Sequence, residues 1–439
     1  MKEQKSIPVS KVARATKFVT TGIKVSGNYI KHYARKAMNE DVTREDLHND
    51  NATDIYETLS TLKGSALKVA QMMSMDRSVL PKAYVDRFQM SQYSAPPLSG
   101  PLVVQTFKKF FGESPSQLFD SFDLKANNAA SIGQVHVGFK NGKKLAVKVQ
   151  YPGIAESISA DLKMVKPFAV RLMGLNEADV NRYMGEVETK LLEETDYVLE
   201  LRRSQEISQA CSGIDNVYFP EYYPELSCNR IITMDWLDGL HLKEFLATNP
   251  TQETRDSIGQ ALWDFYELQI HTLKQVHADP HPGNFLMQPD GRLGIIDFGC
   301  VKEIEDSFYF EYFSLINPQN MADEELTIKL FYKLEFIYEN DSQKDVDFFV
   351  PIFKYMIGLL GKPFHQETFD FGDDEYFQSI YDFADKLGKM KEIREQKVAR
   401  GSKDSLYINR TYFGLYSILN QLKARVNTHS VFKELEYVA

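Results

Sequence analysis

Alternation of apolar and polar positions is sharpest between Val135 and Val149. Val135-His136-Val137-Gly138-Phe139 and Leu145-Ala146-Val147-Lys148-Val149 flank Asn141-Gly142 and predict a β-hairpin with Lys148 set among apolar neighbours. A second hairpin is predicted where Phe285-Leu286-Met287 and Leu293-Gly294-Ile295-Ile296 flank an Asp290-Gly291 turn, with Asn284 at one end and Asp297 at the other. Arg230 to Trp236 predicts a further strand. Spacings of three and four predict helices. From Ile55 to Met75 the stripe is Ile55, Leu59, Leu62, Ala66, Val69 and Met73, with Lys68 and Gln71 three apart on an adjoining face. From Glu186 to Arg203 it is Val187, Leu191, Val198 and Leu201, and Glu194 falls on it, whereas Asp196 and Glu200 share another face. A carboxylate on an apolar stripe has to be paired or neutralised, because an unpaired buried charge costs several kcal/mol.

A chain of 439 residues exceeds what one compact core organises, so two or more lobes are expected. Cys211, Cys228 and Cys300 are far apart and lack metal-ligand spacing, which implies neither a disulfide framework nor a zinc site and suits a reducing, cytoplasmic setting. No apolar stretch approaches the about 20 residues that a membrane-spanning helix needs. A net charge of −10 argues against nucleic-acid binding. Residues 1–36 nevertheless carry nine Lys and Arg residues against Glu3 alone, interleaved with Val9, Val12, Phe18, Val19, Ile23, Val25 and Ile30. That segment suits peripheral association with an anionic membrane face, and equally a solvated arm or a helix packed on an acidic body.

Candidate chemistry concentrates in His277-Ala278-Asp279-Pro280-His281-Pro282-Gly283-Asn284 and Asp297-Phe298-Gly299. In kinase-type sites one Asp positions or deprotonates the nucleophile, and an Asn shortly after it and an Asp at the next strand end hold Mg²⁺. Asp279 fits the first role, and Asn284 and Asp297 fit the metal roles. Either motif alone is a common Pro/Gly-containing turn; in this order on one hairpin they predict phosphoryl transfer. Upstream, Lys148 resembles the strand lysine that pairs with ATP phosphates, and Glu200 is its candidate ion-pair partner. Backbone groups near Asp235 to Leu237 are expected at an inter-lobe hinge that meets adenine. After Asp297-Phe298-Gly299 the chain passes within a few residues into the aromatic, helix-like run Phe308 to Leu315, so the peptide platform of protein kinases is not expected.

Lys68-Val69-Ala70-Gln71, Ala129 to His136, Glu194-Thr195-Asp196-Tyr197, His277 to Asn284 and Asp297-Phe298-Gly299, in that order, resemble the UbiB/AarF atypical kinase family. The resemblance implies an α+β, bilobal protein-kinase-like fold with an N-terminal helical extension packed over the nucleotide site. It implies a division into a basic segment 1–50, an extension 51–115, an N-lobe 116–236 and a mostly helical C-lobe 237–439. Lys68 and Gln71 would belong to the extension's motif, and Ala129, Ala130 and Ser131 to an Ala-rich loop that replaces the usual Gly-rich one. Glu194 and Asp196 would form the motif that pairs with the extension, Glu194 with Lys68. The chain departs from the pattern at Ala70, where the family has glycine, and at Asn128, the first Ala-rich position. The family's carboxy-terminal membrane hairpin is not expected here, because Val431 to Glu436 is polar.

The implied function is that of an ATP- and Mg²⁺-dependent kinase or ATPase supporting isoprenoid quinone biosynthesis, with a lipid or quinone-precursor ligand, at the inner face of a membrane. Two alternatives stand beside it: a small-molecule kinase of the aminoglycoside or choline type, and a nucleotide-gated lipid-binding scaffold without turnover.

Overall fold

The predicted alternation around Asn141-Gly142 becomes strands β3 (Gly133–Lys140) and β4 (Lys143–Gln150), antiparallel from Gly133↔Gln150 to Lys140↔Lys143. Asn141 and Gly142 take φ values of 52° and 77°, the two left-handed positions that a tight hairpin turn requires. The computed structural model describes residues 11–38, 43–62, 83–84, 87, 98–129, 132–173, 177–278, 280–394 and 400–429. The chain divides into two units, Met1–Arg202 with Glu221–Trp236 and Arg203–Pro220 with Leu237–Ala439.

In the first unit β1 (Ser121–Phe122) and β2 (Asn128–Ala129) add to β3, and β6 (Ile231–Asp235) adds to β4, all antiparallel. Period-two alternation gives this sheet two different faces. Leu145, Val147, Val149 and Ile231 pack on Val103 and Phe107 of the Gly100–Phe111 helix. Ala146, Ile232 and Met234 pack on Tyr197, Tyr151 and Ile154. Lys148, two residues from Ala146, therefore shares the face that meets Tyr197.

The expected single helix over Glu186–Arg203 is two helices, Glu177–Glu194 and Tyr197–Ala210. The break combines a local cap with distant contacts. The Asp196 carboxylate accepts the Leu199 N–H at 3.1 Å and starts the second helix. The Thr195 carbonyl is turned outward to accept from Gln150 Nε2 at 3.0 Å and from Arg230 at 3.1 Å. The stripe is accordingly interrupted: Val187 and Leu191 are buried, Glu194 is half-buried and Val198 is exposed.

The basic amino-terminal stretch forms α1 (Lys11–Ala37), packed on α2 (Arg44–Leu62) and on the Ile154–Met173 helix. Arg14 is buried against Asp161, with contacts of 2.6 and 2.5 Å, and gives a third hydrogen bond of 2.9 Å to the Leu62 carbonyl. Ile55, Leu59 and Leu62 are buried along the predicted stripe. Its continuation, with Lys68 and Gln71, lies outside the described residues.

His136, on β3, is fully buried and stacked on Phe122. Its Nδ1 lies 2.9 Å from the Asp123 carbonyl, so it donates there, and its Nε2 lies 2.9 Å from the amide nitrogen of Gln134, which needs an acceptor. The network therefore requires a neutral ring. Burial pushes the His136 pKa below its ordinary value, so the unfolded chain binds that proton more readily. Stability contributed by His136 is present above about pH 6.5 and falls as pH drops below it. Urea midpoints at pH 7.5 and 5.5 are expected to differ more for the native chain than for His136→Gln; equal differences would remove this role.

In the second unit β5 (Val217–Tyr218) runs parallel to β9 (Leu293–Ile295), which pairs antiparallel with β8 (Phe285–Met287), while β7 (Gln275–His277) pairs with β10 (Val301–Glu303). Its core is mainly helical and centres on Trp263, Phe265 and Leu262 of the Gln252–Glu267 helix and Leu415 and Leu419 of the Lys403–Leu422 helix.

Candidate active site

One group of candidate residues is built on β4. Lys148 stands between Val135 on β3 and Ile232 on β6, and Ala146 beside it leaves room for the Tyr197–Ala210 helix to approach. From that helix Glu200 meets Lys148 at 2.6 Å, with 15% and 5% of the two side chains exposed, and the Tyr197 ring lies 5.2 Å from the ammonium. The geometry is that of a lysine held by a carboxylate in a largely dry setting.

β2 and β3 flank the Ala-rich loop, with Asn128↔Val135 and Ala129↔Gln134 paired. Gly133 ends that loop at a close approach: a Cβ there would lie 2.8 Å from both the Tyr197 hydroxyl and the Val149 carbonyl. Ala130 and Ser131 lie outside the described residues. At the end of β6, Asp235 and Trp236 use their N–H groups within the unit, on the carbonyls of Glu221 at 2.8 Å and Lys144 at 3.0 Å. The Asp235 carboxylate accepts from Tyr223 at 2.7 Å. Asp235 is thus a structural anchor, and the unit division falls between Trp236 and Leu237.

A second group lies at the open end of the β8–β9 hairpin. Phe285 pairs with Ile295, and the Ile296 N–H donates to the Asn284 carbonyl at 3.1 Å, which brings Asn284 and Asp297 to the same end. Asn284 ends a 3₁₀ turn, Pro282–Asn284, whose first residues are fixed by Gly283 N–H donating to His281 Nδ1 at 3.0 Å. Asp297 Oδ1 accepts the Gly299 N–H at 2.8 Å, a turn that fixes the carboxylate's direction. Phe298 is buried, with His277, Phe219 and Phe265 ring centroids 5.9, 6.1 and 6.2 Å away. One carboxylate and one amide oxygen on adjacent backbone fit the hard-oxygen chemistry of Mg²⁺. Asp279 lies outside the described residues.

A family model described as the ABC1 atypical kinase-like domain matches residues 90–330. The chain belongs to this family. It is an enzyme of the atypical kinase type with a kinase-like α+β fold. The mitochondrial atypical kinase COQ8 of Saccharomyces cerevisiae is 25% identical over 98% of this chain and 85% of its own. The probable serine/threonine-protein kinase abkA of Dictyostelium discoideum is 23% identical over 98% of this chain and 80% of its own. Among solved structures, the complex structure of Rv3197-erythromycin from Mycobacterium tuberculosis has a TM-score of 0.59 at 26% identity, over 89% of this chain and 97% of that one.

In this ABC1 chain the segment after Asp297-Phe298-Gly299 returns at once as β10. Val301 pairs with His277, the Ala278 N–H donates to the Cys300 carbonyl at 2.8 Å, and the next helix, Asp306–Ser314, begins directly after. Those residues build no peptide platform. Pattern reading missed Gln269 and Tyr266, which hold the strand entering the loop. Buried Gln269 accepts the His277 N–H at 2.9 Å through Oε1, and the Tyr266 hydroxyl lies 3.3 Å from His277 Nδ1. The available signal was an amide set between the apolar Leu268 and Ile270.

Proposed function

We propose that this ABC1-family enzyme is an ATP- and Mg²⁺-dependent small-molecule kinase or ATPase whose acceptor belongs to the isoprenoid quinone-precursor or lipid class. The observation that carries the reading is the 2.6 Å Lys148–Glu200 pair, joined by the chain across 52 residues onto one sheet face. Glu200 holds the ammonium for the nucleotide phosphates, and Asn284 and Asp297 would hold Mg²⁺, which when bound neutralises charge developing on the transferred phosphoryl group. Asp279 takes the role of orienting the acceptor oxygen or water. The short β10 return supports a metabolite or water as acceptor in place of a peptide.

Steady-state ATP hydrolysis by the full chain, with and without Mg²⁺ and with phenolic quinone-like ligands, tests this. Turnover that needs Mg²⁺ and is lowered about 10²-fold or more by Lys148→Met is expected. Binding of nucleotide without turnover under every condition would favour the scaffold alternative.

Membrane association gains support from α1. Val19, Ile23, Ile30 and Tyr33 are exposed on the face opposite buried Arg14, Phe18, Thr21 and His32, beside exposed Lys17, Lys24, Lys31 and Arg35. No described helix is long and apolar enough to cross a membrane. Deleting residues 1–36 would strip Asp161 of Arg14, so point variants are the cleaner test. Ile23→Ser with Ile30→Ser is expected to reduce cosedimentation with anionic liposomes without lowering the melting temperature, and unchanged cosedimentation would discard this surface.

A further inference from the structure

The Lys403–Leu422 helix touches the candidate catalytic loop at one place where only glycine fits. A Cβ on Gly414 would lie 2.2 Å from Pro280 Cγ, 3.0 Å from its Cβ and 3.2 Å from its carbonyl oxygen. Pro280 is buried, and in the sequence it stands between Asp279 and His281. Two residues before Gly414, Tyr412 holds the segment that leads into the loop. Its hydroxyl donates to Glu267 at 3.0 Å and lies 3.3 Å from His271, which itself lies 3.2 Å from Glu267 and 2.8 Å from the Tyr309 hydroxyl. One half-turn of this helix thus grips the chain on both sides of β7, the strand that enters the loop.

We propose that Gly414 is a positioning residue for the phosphoryl-transfer loop, setting the place of Pro280 by letting the helix backbone seat directly on the proline ring. The proposal rests on the kinase reading of Asp279. Helix propensity sets the opposite expectation: a mid-helix glycine weakens its helix, so alanine at 414 would stabilise the chain if the site had no other role. Gly358, in the Gln343–Gly361 helix, supplies the comparison, because a Cβ there meets nothing within 4 Å. The 2.2 Å overlap at Gly414 involves a ring that cannot rotate away, so the helix and the loop have to move apart. Displacement of a catalytic group by about 1 Å costs on the order of 10²-fold in rate.

The test uses the full chain and the variants Gly414→Ala, Gly358→Ala, Pro280→Ala and the Gly414→Ala/Pro280→Ala pair. Gly414→Ala is expected to lower kcat for Mg-ATP hydrolysis about 10²-fold with KM for Mg-ATP changed less than about twofold. Hydrogen exchange in the peptide spanning residues 275–287 should rise in the same variant, and Gly358→Ala should match the native chain in both measurements. In the Pro280→Ala background, where the Cγ is gone, adding Gly414→Ala should cost far less than it does alone. Native kcat and exchange in Gly414→Ala, or a raised melting temperature like that of Gly358→Ala, would overturn the proposal. If Gly414→Ala does not fold, recovery by Pro280→Ala supports the contact and failure to recover overturns it. A native chain that turns over no ATP defeats the kinase reading, while exchange at 275–287 still decides the Gly414 contact.

Discussion

Asp297→Asn is expected to remove the dependence of nucleotide binding on Mg²⁺ and to lower turnover at least about 10²-fold, the scale of losing one preorganised electrostatic contact to the transition state. The substitution is informative because of the turn that Asp297 makes. Its Oδ1 accepts the Gly299 N–H at 2.8 Å, and an asparagine amide oxygen can accept the same bond. The backbone is therefore conserved while the charge is lost. Thermal shifts with ATP alone and with ATP and Mg²⁺ should separate in the native chain and coincide in the variant. A variant that keeps the full Mg²⁺-dependent shift would show that Asp297 holds no metal.

Arg14→Met is expected to cost about 3–5 kcal/mol of stability, because it leaves Asp161 without its bidentate partner where neither side chain reaches solvent. Ser157 also donates to Asp161, at 3.1 Å, and is a neutral donor that does not replace the lost charge. Arg14→Met with Asp161→Leu should recover much of the loss, since an apolar pair of similar volume has no charge to desolvate. Urea unfolding of the two single variants and the double variant measures the coupling. A single-variant cost below about 1 kcal/mol would show that water reaches the pair.

Both hairpins and the residues they carry were legible, because Asn141-Gly142 and Asp290-Gly291 are local turn chemistry and period-two alternation is local too. The Lys148–Glu200 pair was legible from residue type and motif order. The Glu177–Glu194 and Tyr197–Ala210 break was not, because the Asp196 cap is joined by distant contacts: the Thr195 carbonyl accepts from Gln150 on β4 and from Arg230 before β6. Arg14 shows the same limit. Its partners are distant in sequence: the Leu62 carbonyl, 48 residues away, and Asp161, 147 residues away. The seating of Pro280 on Gly414 was likewise invisible, since a glycine inside a helical pattern reads as a small local weakness until its neighbour is known.

The direct zippering of β10 onto β7 bears on how such an enzyme is inhibited. Compounds that draw affinity from expelling the Asp-Phe-Gly phenylalanine need a hinged segment after it. Here Phe298 is followed within three residues by a strand whose partners are Gln275, Val276 and His277, so expelling the ring means unzipping that ladder. Selective ligands for this chain should therefore be sought among those that leave the Phe298 ring in its buried place.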